Sequence, residues 1–475
     1  MSWQRLSGTD AVFLYGETEK APLHVLGVLV LESTERAAGE DFQSIRAQIV
    51  RRLPALPILR RKLTTVPLDL DHPVWTDDSA FELDAHLHRA ALPAPGGERE
   101  LAEFVTRITE MPVRRDRPLW ELHVVEGLAG GCLALVAKIH HAAADGVGSV
   151  QLLAGLLDAD SSGHTLDEPP AEQAECEPAP SAVALFAAAA LSLSVRPLEG
   201  ARELWRSRAA GAQILSALTR PFAGLGAPRT RLNCRVSGRR IVSMGSVSLE
   251  DVKFVKQAFA ATVNHVVLAA CAGALRGYLK VHGELPRQPL VAAVPMALGD
   301  RPADGFGNSL SLLFMSLPVH LDDPLDRLHA AREASRAAIS AHEAVGSQLG
   351  RWADLVSPAF LAGASRAYTS LGLADRHPPL LNVLISNIRG PSTPLYCAGS
   401  RVSACHPFGP IYDGFALNLT VMSYDGAIGI GAIACREAVP DLARIPRAFE
   451  DSVAELRTLA ALEIGSAGAS GAAPA

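Results

Sequence analysis

The sequence predicts an α/β protein built from two domains. A chain of 475 residues is too long for one ordinary hydrophobic core. Hydrophobic residues make up 48% of the chain and charged residues 20%, a balance that is typical of globular proteins and excludes global disorder. Apolar runs of strand length alternate with stretches of helical spacing in both halves, which favours mixed domains of sheet and helix.

Changes in composition divide the chain into four segments. Residues 1–157 are predicted to form the first α/β domain and residues 235–463 the second. Residues 158–234 are expected to be a linker with amphipathic helices, because an acidic, proline-containing stretch precedes an alanine-rich run and interleaved arginines. Residues 464–475 are a small-residue tail that is predicted to be disordered.

The first domain alternates between strand and helix patterns. Strands are predicted where apolar runs are bounded by turn residues, and helices where apolar residues recur at helical spacing. The strands are expected at 23–31, 118–125 and 132–137, and the helices at 41–53, 98–109 and 150–157. Pro54 ends the first of these helices, and the glycines at 127–131 make a turn that joins the last two strands as a hairpin.

The second domain shows the same alternation. Its strands are expected at 290–294, 381–388, 415–423 and 428–435, and its helices at 262–275, 323–344 and 448–462. Asp425-Gly426 is typical of a hairpin turn between the last two strands. The helix that begins at Thr262 is apolar nearly all round, which indicates burial, so Asn264 and His265 near its start must be hydrogen-bonded.

A pair of histidines followed by Asp-Gly is the strongest chemical signal in the chain. His140-His141 ends an apolar strand and is followed by Asp145-Gly146 after three alanines. Imidazole exchanges a proton near neutral pH, so a histidine at the mouth of a cleft can act as a general base. Neighbouring side chains of a strand point to opposite faces, so His141 is predicted to face the cleft and His140 to be packed behind it.

The other members of the motif support this interpretation. Asp145 is close enough in sequence to orient an imidazole ring or to brace the loop, and Gly146 permits backbone angles that a Cβ would forbid. A lone histidine beside a strand is more often a structural residue than a catalyst. The fixed spacing to Asp-Gly makes a purely structural role for the whole motif the weaker alternative.

Charge and cysteine content exclude several classes of protein. A net charge of −6 argues against a general nucleic-acid binder. The seven cysteines are scattered without any CxxC pair, which predicts reduced thiols in a cytoplasmic protein and neither a disulfide framework nor a metal site. The N-terminus opens no signal peptide, and no apolar run is long enough to span a membrane.

The alanine-rich run at 182–195 is the longest apolar stretch. It is expected to be either a buried helix or an amphipathic surface helix. Arginines at 196, 202, 206, 208 and 220 follow it among apolar residues, a pattern that suits an anionic membrane surface or a nucleotide phosphate. The alternative is the solvated face of a linking helix.

Stretches along nearly the whole chain resemble the bacterial wax ester synthase/diacylglycerol acyltransferase family. In the first half the resemblance is carried by Leu6-Ser7, Asp10-Ala11, Phe13-Leu14, Pro22–Val25, His72–Trp75, Pro118–Glu121, Glu126–Leu128 and His140–Gly146. In the second half it is carried by Asn264, Val266–Leu268, Gly307-Asn308, Ser386-Asn387, Gly390-Pro391, Asp413-Gly414 and Ala416–Asn418. The His-His-Asp-Gly motif alone is shared with other CoA-dependent acyltransferases and with peptide-synthetase condensation domains.

The resemblance implies two domains of chloramphenicol-acetyltransferase-like fold with a substrate tunnel between them. It implies transfer of a long-chain acyl group from acyl-CoA to diacylglycerol or to a long-chain alcohol, with acyl-CoA as a substrate and no cofactor. His141 matches the catalytic base of the family, with His140 and Asp145 beside it in the motif. Further substrate or structural positions are implied at Gly146, Asn264, Trp120, Ser386 and Asn387.

This chemistry agrees with what the residues themselves indicate. An alcohol is a poor nucleophile, so a base must remove its proton as it attacks the thioester. Negative charge then develops on oxygen and needs hydrogen-bond donors. The chain has no Gly-x-Ser-x-Gly elbow that would supply a serine nucleophile, so direct transfer without an acyl-enzyme is expected.

The chain also departs from the family pattern. It has Asn264-His265 where the family usually carries Asn-Asp, so a titratable or neutral group replaces an acidic one. The stretches 113–117 and 295–298 differ as well, which is expected to shift substrate choice or lower activity. Two alternatives stay open: a condensation-type enzyme with a carrier-bound acyl donor, and a non-catalytic lipid-binding homologue.

The sequence also gives an expectation for location. A cytoplasmic protein that binds peripherally to the inner membrane or to lipid bodies is predicted, because the substrates are lipids and the helix at 182–195 is flanked by basic residues.

Overall fold

The computed structural model describes residues 3–33, 40–161, 178–207, 226–297, 310–345 and 358–470. Several predicted features lie outside these residues, namely Cys176, Arg208, Arg220, Leu298, Gly307-Asn308, the linker stretches 162–177 and 208–225, and the chain end from 471. The described residues form a mixed α/β structure, which confirms the predicted fold class.

Helices and strands alternate along both halves of the chain. The helices are α1 (Gly8–Gly16), α2 (Glu40–Arg52), α3 (Glu98–Glu110), α4 (Gly146–Leu156), α5 (Ala182–Ser207), α6 (Leu249–Ala258), α7 (Val263–Val281), α8 (Pro324–Val345), α9 (Pro358–Ser370), α10 (Leu373–Arg376) and α11 (Arg444–Ser470). The strands are β1 (Gln4–Arg5), β2 (His24–Leu31), β3 (Arg61–Thr64), β4 (Val74–Asp77), β5 (Leu87–Ala91), β6 (Trp120–Glu126), β7 (Leu133–His140), β8 (Arg240–Ser248), β9 (Leu290–Ala297), β10 (Leu310–Leu317), β11 (Val383–Arg389), β12 (Tyr396–Cys397), β13 (Ser400–Phe408), β14 (Leu417–Tyr424) and β15 (Ala427–Cys435).

Two six-stranded sheets organise these elements. The first sheet has the order β12-β13-β2-β7-β6-β5, and the second has the order β10-β9-β11-β14-β15-β8. In the first sheet β7 pairs antiparallel with both β2 and β6, so the strand that ends in His140 is flanked on both sides. The predicted hairpin of β6 and β7 and the hairpin turn at Asp425-Gly426 are both present.

One strand of the first sheet comes from the second half of the chain. β13 pairs antiparallel with β2 over Val402–Phe408, although residues 400–408 fall within the predicted second domain. Sheet membership therefore does not follow the predicted boundary at this point. Strand β13 was missed because Pro407 and several polar residues interrupt its apolar pattern, and proline argues against an interior strand.

The two halves are also joined by α3 and β8. The Arg240 side chain is almost fully buried between them, with 2% of the residue exposed. Its guanidinium donates to the backbone oxygens of Ser237 and Lys20, and its backbone N–H donates to Glu110 Oε1 at 2.8 Å. A buried guanidinium that is fully engaged in this way holds its surroundings in one arrangement, because losing any partner would strand a charge.

Several predicted helix boundaries differ from those of the structure, two of them at α4 and α11. Helix α4 begins at Gly146 and not at residue 150, because Asp145 caps it. Helix α11 runs to Ser470, so the predicted disordered tail is wrong for residues 464–470. Residues 464–470 contain no proline, the strongest helix breaker, and the first proline after the helix is Pro474.

Helix α5 lies on the surface with one side buried, so it is not the fully buried helix that was one of the two alternatives for the alanine-rich run. Leu185 and Ala189 are buried, whereas Val183, Phe186 and Leu191 are exposed. In the part of the chain that the structure describes, no helix alone is long and apolar enough to cross a membrane. Only α6 and α7 taken together, bent by 103°, reach that length and composition.

Candidate functional site

A large apolar cavity lies between the two halves of the chain. Its volume is about 1060 Å³, and residues from both sheets line it. The first half contributes mainly apolar side chains, including Phe13, Leu23, Val25, Ile139, Val147 and Leu153. The second half contributes further apolar side chains together with polar groups, including Phe314, Ser386, Asn387, Phe408, Tyr412 and Met422. The predicted tunnel between the domains is therefore present.

His141 lies in the wall of this cavity, directly after β7. The residue is 7% exposed, and its imidazole ring stacks on the ring of Phe13 with centroids 3.9 Å apart and planes 5° from parallel. Its backbone N–H donates to Leu23 O at 2.9 Å. Stacking and backbone bonding together fix the place of the ring at the cavity wall.

His140 points to the other side of β7, as strand alternation predicts. It is fully buried and is not among the residues that line the cavity. Its Nδ1 accepts a hydrogen bond from the Ala142 backbone N–H at 3.0 Å, so the ring proton resides on Nε2. This bond links the His140 ring to the backbone directly after His141. It therefore helps to fix the backbone conformation of His141.

Asp145 and Gly146 set the geometry of the turn after the two histidines. Asp145 is fully buried and its Oδ1 accepts from the Gly148 backbone N–H at 2.6 Å, which caps α4. A carboxylate at this position satisfies an otherwise unpaired helix N–H. Its negative charge is also stabilised by the positive end of the helix dipole. Gly146 lines the cavity, and a Cβ there would approach Ile388 Cδ1 to 2.9 Å. The motif therefore braces the loop against β11 of the opposite half.

The remaining predicted positions divide between the cavity and its supports. Ser386 and Asn387 on β11 line the cavity, and Asn387 Nδ2 donates to Asn264 Oδ1 at 3.2 Å. Trp120 does not reach the cavity. Its ring is buried against His86, and its Nε1 donates to Leu59 O at 2.8 Å. Trp120 thus anchors β6, the strand beside β7, to the segment around Leu59.

Sequence reasoning missed the aromatic partner of His141 and the anion behind His140. Phe13 appeared only as part of a family-like stretch, and Glu17 was not singled out. Glu17 Oε2 lies 3.4 Å from His140 Nε2, and Arg115 Nη2 donates to the same oxygen at 2.6 Å. These partners are about a hundred residues apart along the chain, so no local spacing could have revealed them.

Comparison with known proteins identifies the family. Residues 6–267 match the wax ester synthase/diacylglycerol acyltransferase catalytic domain, and residues 306–457 match the C-terminal domain of the same family. A putative diacylglycerol O-acyltransferase of Mycobacterium tuberculosis is 36% identical over 95% of this chain and 90% of its own length. The chain belongs to the wax ester synthase/diacylglycerol acyltransferase family. It is an acyltransferase.

Further relatives support this family assignment. A second putative diacylglycerol O-acyltransferase of Mycobacterium tuberculosis is 37% identical, covering 95% of this chain and 99% of the relative. The structure of the wax ester synthase/diacylglycerol acyltransferase from Marinobacter aquaeolei superposes with a TM-score of 0.69 at 28% identity, over 96% of this chain and all of the other. The first condensation domain of the calcium-dependent antibiotic synthetase, at 15% identity, shares the fold with a TM-score of 0.58.

His265, where an aspartate was expected from the family resemblance, serves as part of the N-terminal cap of α7. Thr262 is the N-cap of α7, and its Oγ1 accepts from the His265 backbone N–H at 3.2 Å. His265 Nδ1 in turn accepts from the Thr262 backbone N–H at 3.2 Å. This reciprocal pair is a capping box in which an imidazole takes the place of a carboxylate. The ring must be neutral to accept this bond.

We expect the cap at His265 to weaken in mild acid. Burial, with Arg336 and Arg332 nearby, lowers the pKa of His265 below its ordinary value of 6.5. Since the unfolded chain then takes up the proton first, the contribution to stability is present above about pH 6.5 and is lost as the pH falls. His265→Asp provides an acceptor that stays ionised at about pH 5.5, so acidification to that pH should destabilise this variant less than the wild type.

Urea unfolding of both proteins at about pH 7.5 and about pH 5.5 measures this difference. The comparison between the two proteins isolates position 265, because all other titrating groups are shared. Equal losses of stability in the two proteins would show that the His265 ring does not act as the cap in solution.

Among the residues that the structure describes, one group of metal-ligand type lies outside the cavity. Ligand atoms of His88, Glu121 and His123 all lie within 4.8 Å of one another. The buried ammonium of Lys138 is 3.0 Å from Glu121 Oε2 and donates to Met111 O at 2.9 Å. Because this cation already neutralises the carboxylate, the group is a buried ion pair rather than a vacant metal site. The expectation of no metal site in this chain stays a prediction.

Proposed function

We propose that this protein is an acyl-CoA-dependent O-acyltransferase that acts on a lipid alcohol. The acceptor is the free hydroxyl of diacylglycerol, of a long-chain alcohol, or of both. The main support is the position of His141, a candidate base in the wall of an apolar cavity that both halves of the chain enclose. The names of the curated relatives, diacylglycerol O-acyltransferases at 34–37% identity, support the acceptor class.

The proposed mechanism is a single transfer step. His141 takes the proton of the acceptor hydroxyl as its oxygen attacks the thioester carbonyl carbon. The C–O bond forms, the C–S bond breaks, and the departing CoA thiolate recovers the proton from the imidazolium. No cofactor takes part, since acyl-CoA is consumed as a substrate. The polar side chains on β11, Ser386 and Asn387, are candidate donors to the carbonyl oxygen in the transition state.

The cavity suits two long lipid chains. Pockets for drug-sized ligands span about 300–1,000 Å³, so a volume of about 1060 Å³ exceeds the need of one small ligand. Most of its lining is apolar, which favours hydrocarbon chains over a polar acceptor. Diacylglycerol and fatty alcohols both present one hydroxyl beside such chains, so both fit the same chemistry.

A carrier-bound acyl donor is the weaker alternative. The condensation domains are 15% identical to this chain, so the similarity to them shows a shared fold alone. The relatives that share a third of their residues over nearly the full chain are named as acyltransferases of diacylglycerol. We therefore favour free acyl-CoA as the donor, and retain the carrier-bound donor and a non-catalytic lipid-binding role as outcomes of the test.

We also propose that the protein works at a lipid surface, the cytoplasmic face of the inner membrane or a lipid body. Helix α5 supports this, because its Val183, Phe186 and Leu191 side chains are exposed while its opposite face is buried. Exposed apolar side chains on one face of a helix can enter the boundary between lipid headgroups and acyl chains. The water-insoluble acceptor would then reach the enzyme from that surface.

The test uses the purified full-length protein with labelled palmitoyl-CoA. Diacylglycerol and hexadecanol are offered in anionic or neutral lipid vesicles, and the products are separated by thin-layer chromatography. Labelled triacylglycerol or wax ester is expected, together with flotation of the protein with the vesicles. Transfer only from a carrier-bound palmitoyl group would favour the condensation-type alternative. No transfer from any donor, with flotation retained, would leave the non-catalytic role.

A further inference from the structure

A buried carboxylate lies behind the pair of histidines, outside the cavity. Glu17 directly follows α1, and only 7% of its side chain is exposed. Arg115 Nη2 donates to Glu17 Oε2 at 2.6 Å, and the Leu23 backbone N–H donates to Glu17 Oε1 at 3.0 Å. Glu17 does not line the cavity, so it does not meet the substrates. The proposed acyl-transfer step does not use this buried carboxylate directly.

The first link from Glu17 to the site passes through His140. The proton of this ring resides on Nε2, because Nδ1 accepts from Ala142 N–H. His140 Nε2 makes no hydrogen bond of ordinary length in the described part of the chain, and Glu17 Oε2 lies 3.4 Å away. At this separation the carboxylate acts through its charge on the N–H dipole. A negative charge here favours the tautomer that leaves Nδ1 free to accept.

The second link runs through the backbone of Leu23. Its N–H donates to Glu17 Oε1, and its carbonyl oxygen accepts from the His141 backbone N–H at 2.9 Å. The peptide groups on both sides of the His141 Cα are thus tied to one carboxylate: the N–H of His141 through Leu23, and the N–H of Ala142 through the His140 ring.

The third link is the end of helix α1. The Glu17 backbone N–H donates to Phe13 O at 3.2 Å, and the Phe13 ring stacks on the His141 imidazole. Arg115 Nη2 also donates to Leu14 O at 2.8 Å, so the same guanidinium holds both the carboxylate and the helix end. The aromatic support of His141 is therefore anchored at the same point as its backbone.

We propose that Glu17 is a positioning residue for acyl transfer, whose carboxylate fixes the tautomer of His140 and thereby the backbone and orientation of His141. This inference rests on the proposed function, because the orientation of His141 matters only if His141 is the base. A 1 Å displacement of a reacting group can cost about 100-fold in rate, so holding the ring is a sufficient reason for a buried charge.

The surroundings keep this group ionised. Burial alone would raise the pKa of Glu17, but the contacts with His140 and His24 hold it well below its ordinary value of 4.5. The charged and titratable groups that face the carboxylate are Arg115, His140 and His24, whose Nε2 is 3.3 Å from Oε1. Arg115 supplies a positive charge beside the carboxylate.

Glu17→Gln removes the charge at almost constant shape. The amide keeps one acceptor oxygen and replaces the other by an NH2 group, so the contacts that the two carboxylate oxygens accept can no longer all be made. When the NH2 group faces His140 Nε2, it favours the other tautomer of that ring. His140 Nδ1 would then carry the proton and could no longer accept from Ala142 N–H. We expect kcat to fall about 10- to 100-fold while KM for both substrates stays within about twofold. Glu19→Gln, an exposed neighbour, is the matched control and should behave as wild type.

Two further measurements separate positioning from a general loss of structure. In the His141→Ala background, Glu17→Gln should lower the residual rate no further, because both changes act on the same base. Nitrogen-15 NMR of labelled histidines should report the proton on Nε2 of His140 in the wild-type protein and on Nδ1 in Glu17→Gln. Glu17→Asp keeps the charge and should recover part of the lost kcat.

The outcomes that overturn the proposal differ from those that overturn the proposed function. An unchanged kcat in Glu17→Gln, a further loss of rate in the double variant, or an Nδ1–H tautomer of His140 in the wild-type protein would each refute positioning by Glu17. The last of these needs only wild-type protein and holds even if Glu17→Gln fails to fold. Full turnover by His141→Ala would instead refute the proposed function.

Discussion

His141→Ala is expected to lower acyl transfer by about 10²- to 10⁴-fold, the range in which a positioned general base contributes. The hydroxyl of a lipid alcohol holds its proton far above neutral pH, so a base must remove the proton during the attack. The loss should appear in kcat, because the cavity that binds the chains is unchanged. Initial rates with labelled palmitoyl-CoA and diacylglycerol measure it.

The control for this variant is a histidine of the same chain that lies far from the chemistry. His329 is exposed on α8, and His329→Ala should leave transfer at the wild-type rate. The thermal midpoint of His141→Ala should stay close to that of the wild type, because alanine removes a ring from a wall that already borders empty space. A His141→Ala enzyme with undiminished kcat would refute the proposed mechanism.

The local part of the site could be predicted from the sequence. The strand that ends in His140 begins with the apolar run 132–137, the turn after it is marked by small residues, and strand alternation assigns the two histidines to opposite faces. Asp145 was expected either to orient a ring or to brace the loop, and the structure shows it as the cap of α4. Each of these features depends on residues within about ten positions of one another.

The non-local part of the site could not be predicted in this way. Glu17 and Arg115 are separated by 98 positions, yet their side chains are 2.6 Å apart. Trp120 shows the opposite case, because it belongs to a family-like stretch but does not line the cavity. A pattern along the chain reveals which face of an element is buried, whereas the partners of a buried charge depend on how the elements cross.

Strand β13 is the largest such omission. Its pairing with β2 joins residues that are more than 370 positions apart, and its sequence does not alternate cleanly because it is covered on one side by β15 and bordered by the cavity. Cys405, Pro407 and Phe408 of this strand line the cavity. The wall of the site therefore depends on a strand whose placement only the tertiary structure reveals.

Gly431→Ala is expected to separate β13 from β15 and so to disturb the site from outside. A Cβ on Gly431 would lie 1.9 Å from Pro407 O, and a Cβ on Gly429 would lie 2.0 Å from Cys405 O. Both obstacles are backbone oxygens, which no rotamer change can move. Overpacking of a core costs about 1–3 kcal/mol, and we expect about 3 kcal/mol or more here because whole strands must shift.

The shift should also reach His141, the proposed base. Pro407 pairs with Gly27 on β2, and His24 at the start of β2 pairs with His140. If β13 moves away from β15, either it draws β2 with it or the β13–β2 ladder breaks. In both cases the cavity wall that Cys405, Pro407 and Phe408 provide changes shape. The folded fraction of Gly431→Ala should therefore show a lowered kcat in the acyl-transfer assay.

Gly277→Ala is the matched control for this change. Gly277 is exposed within α7, and a Cβ there would meet nothing within 4 Å. Alanine favours helix over glycine by about 0.5–1 kcal/mol, so Gly277→Ala should raise the free energy of unfolding while Gly431→Ala lowers it. Urea unfolding of both variants measures the two shifts, and a Gly431→Ala protein as stable as the wild type would show that β13 and β15 do not approach this closely in solution.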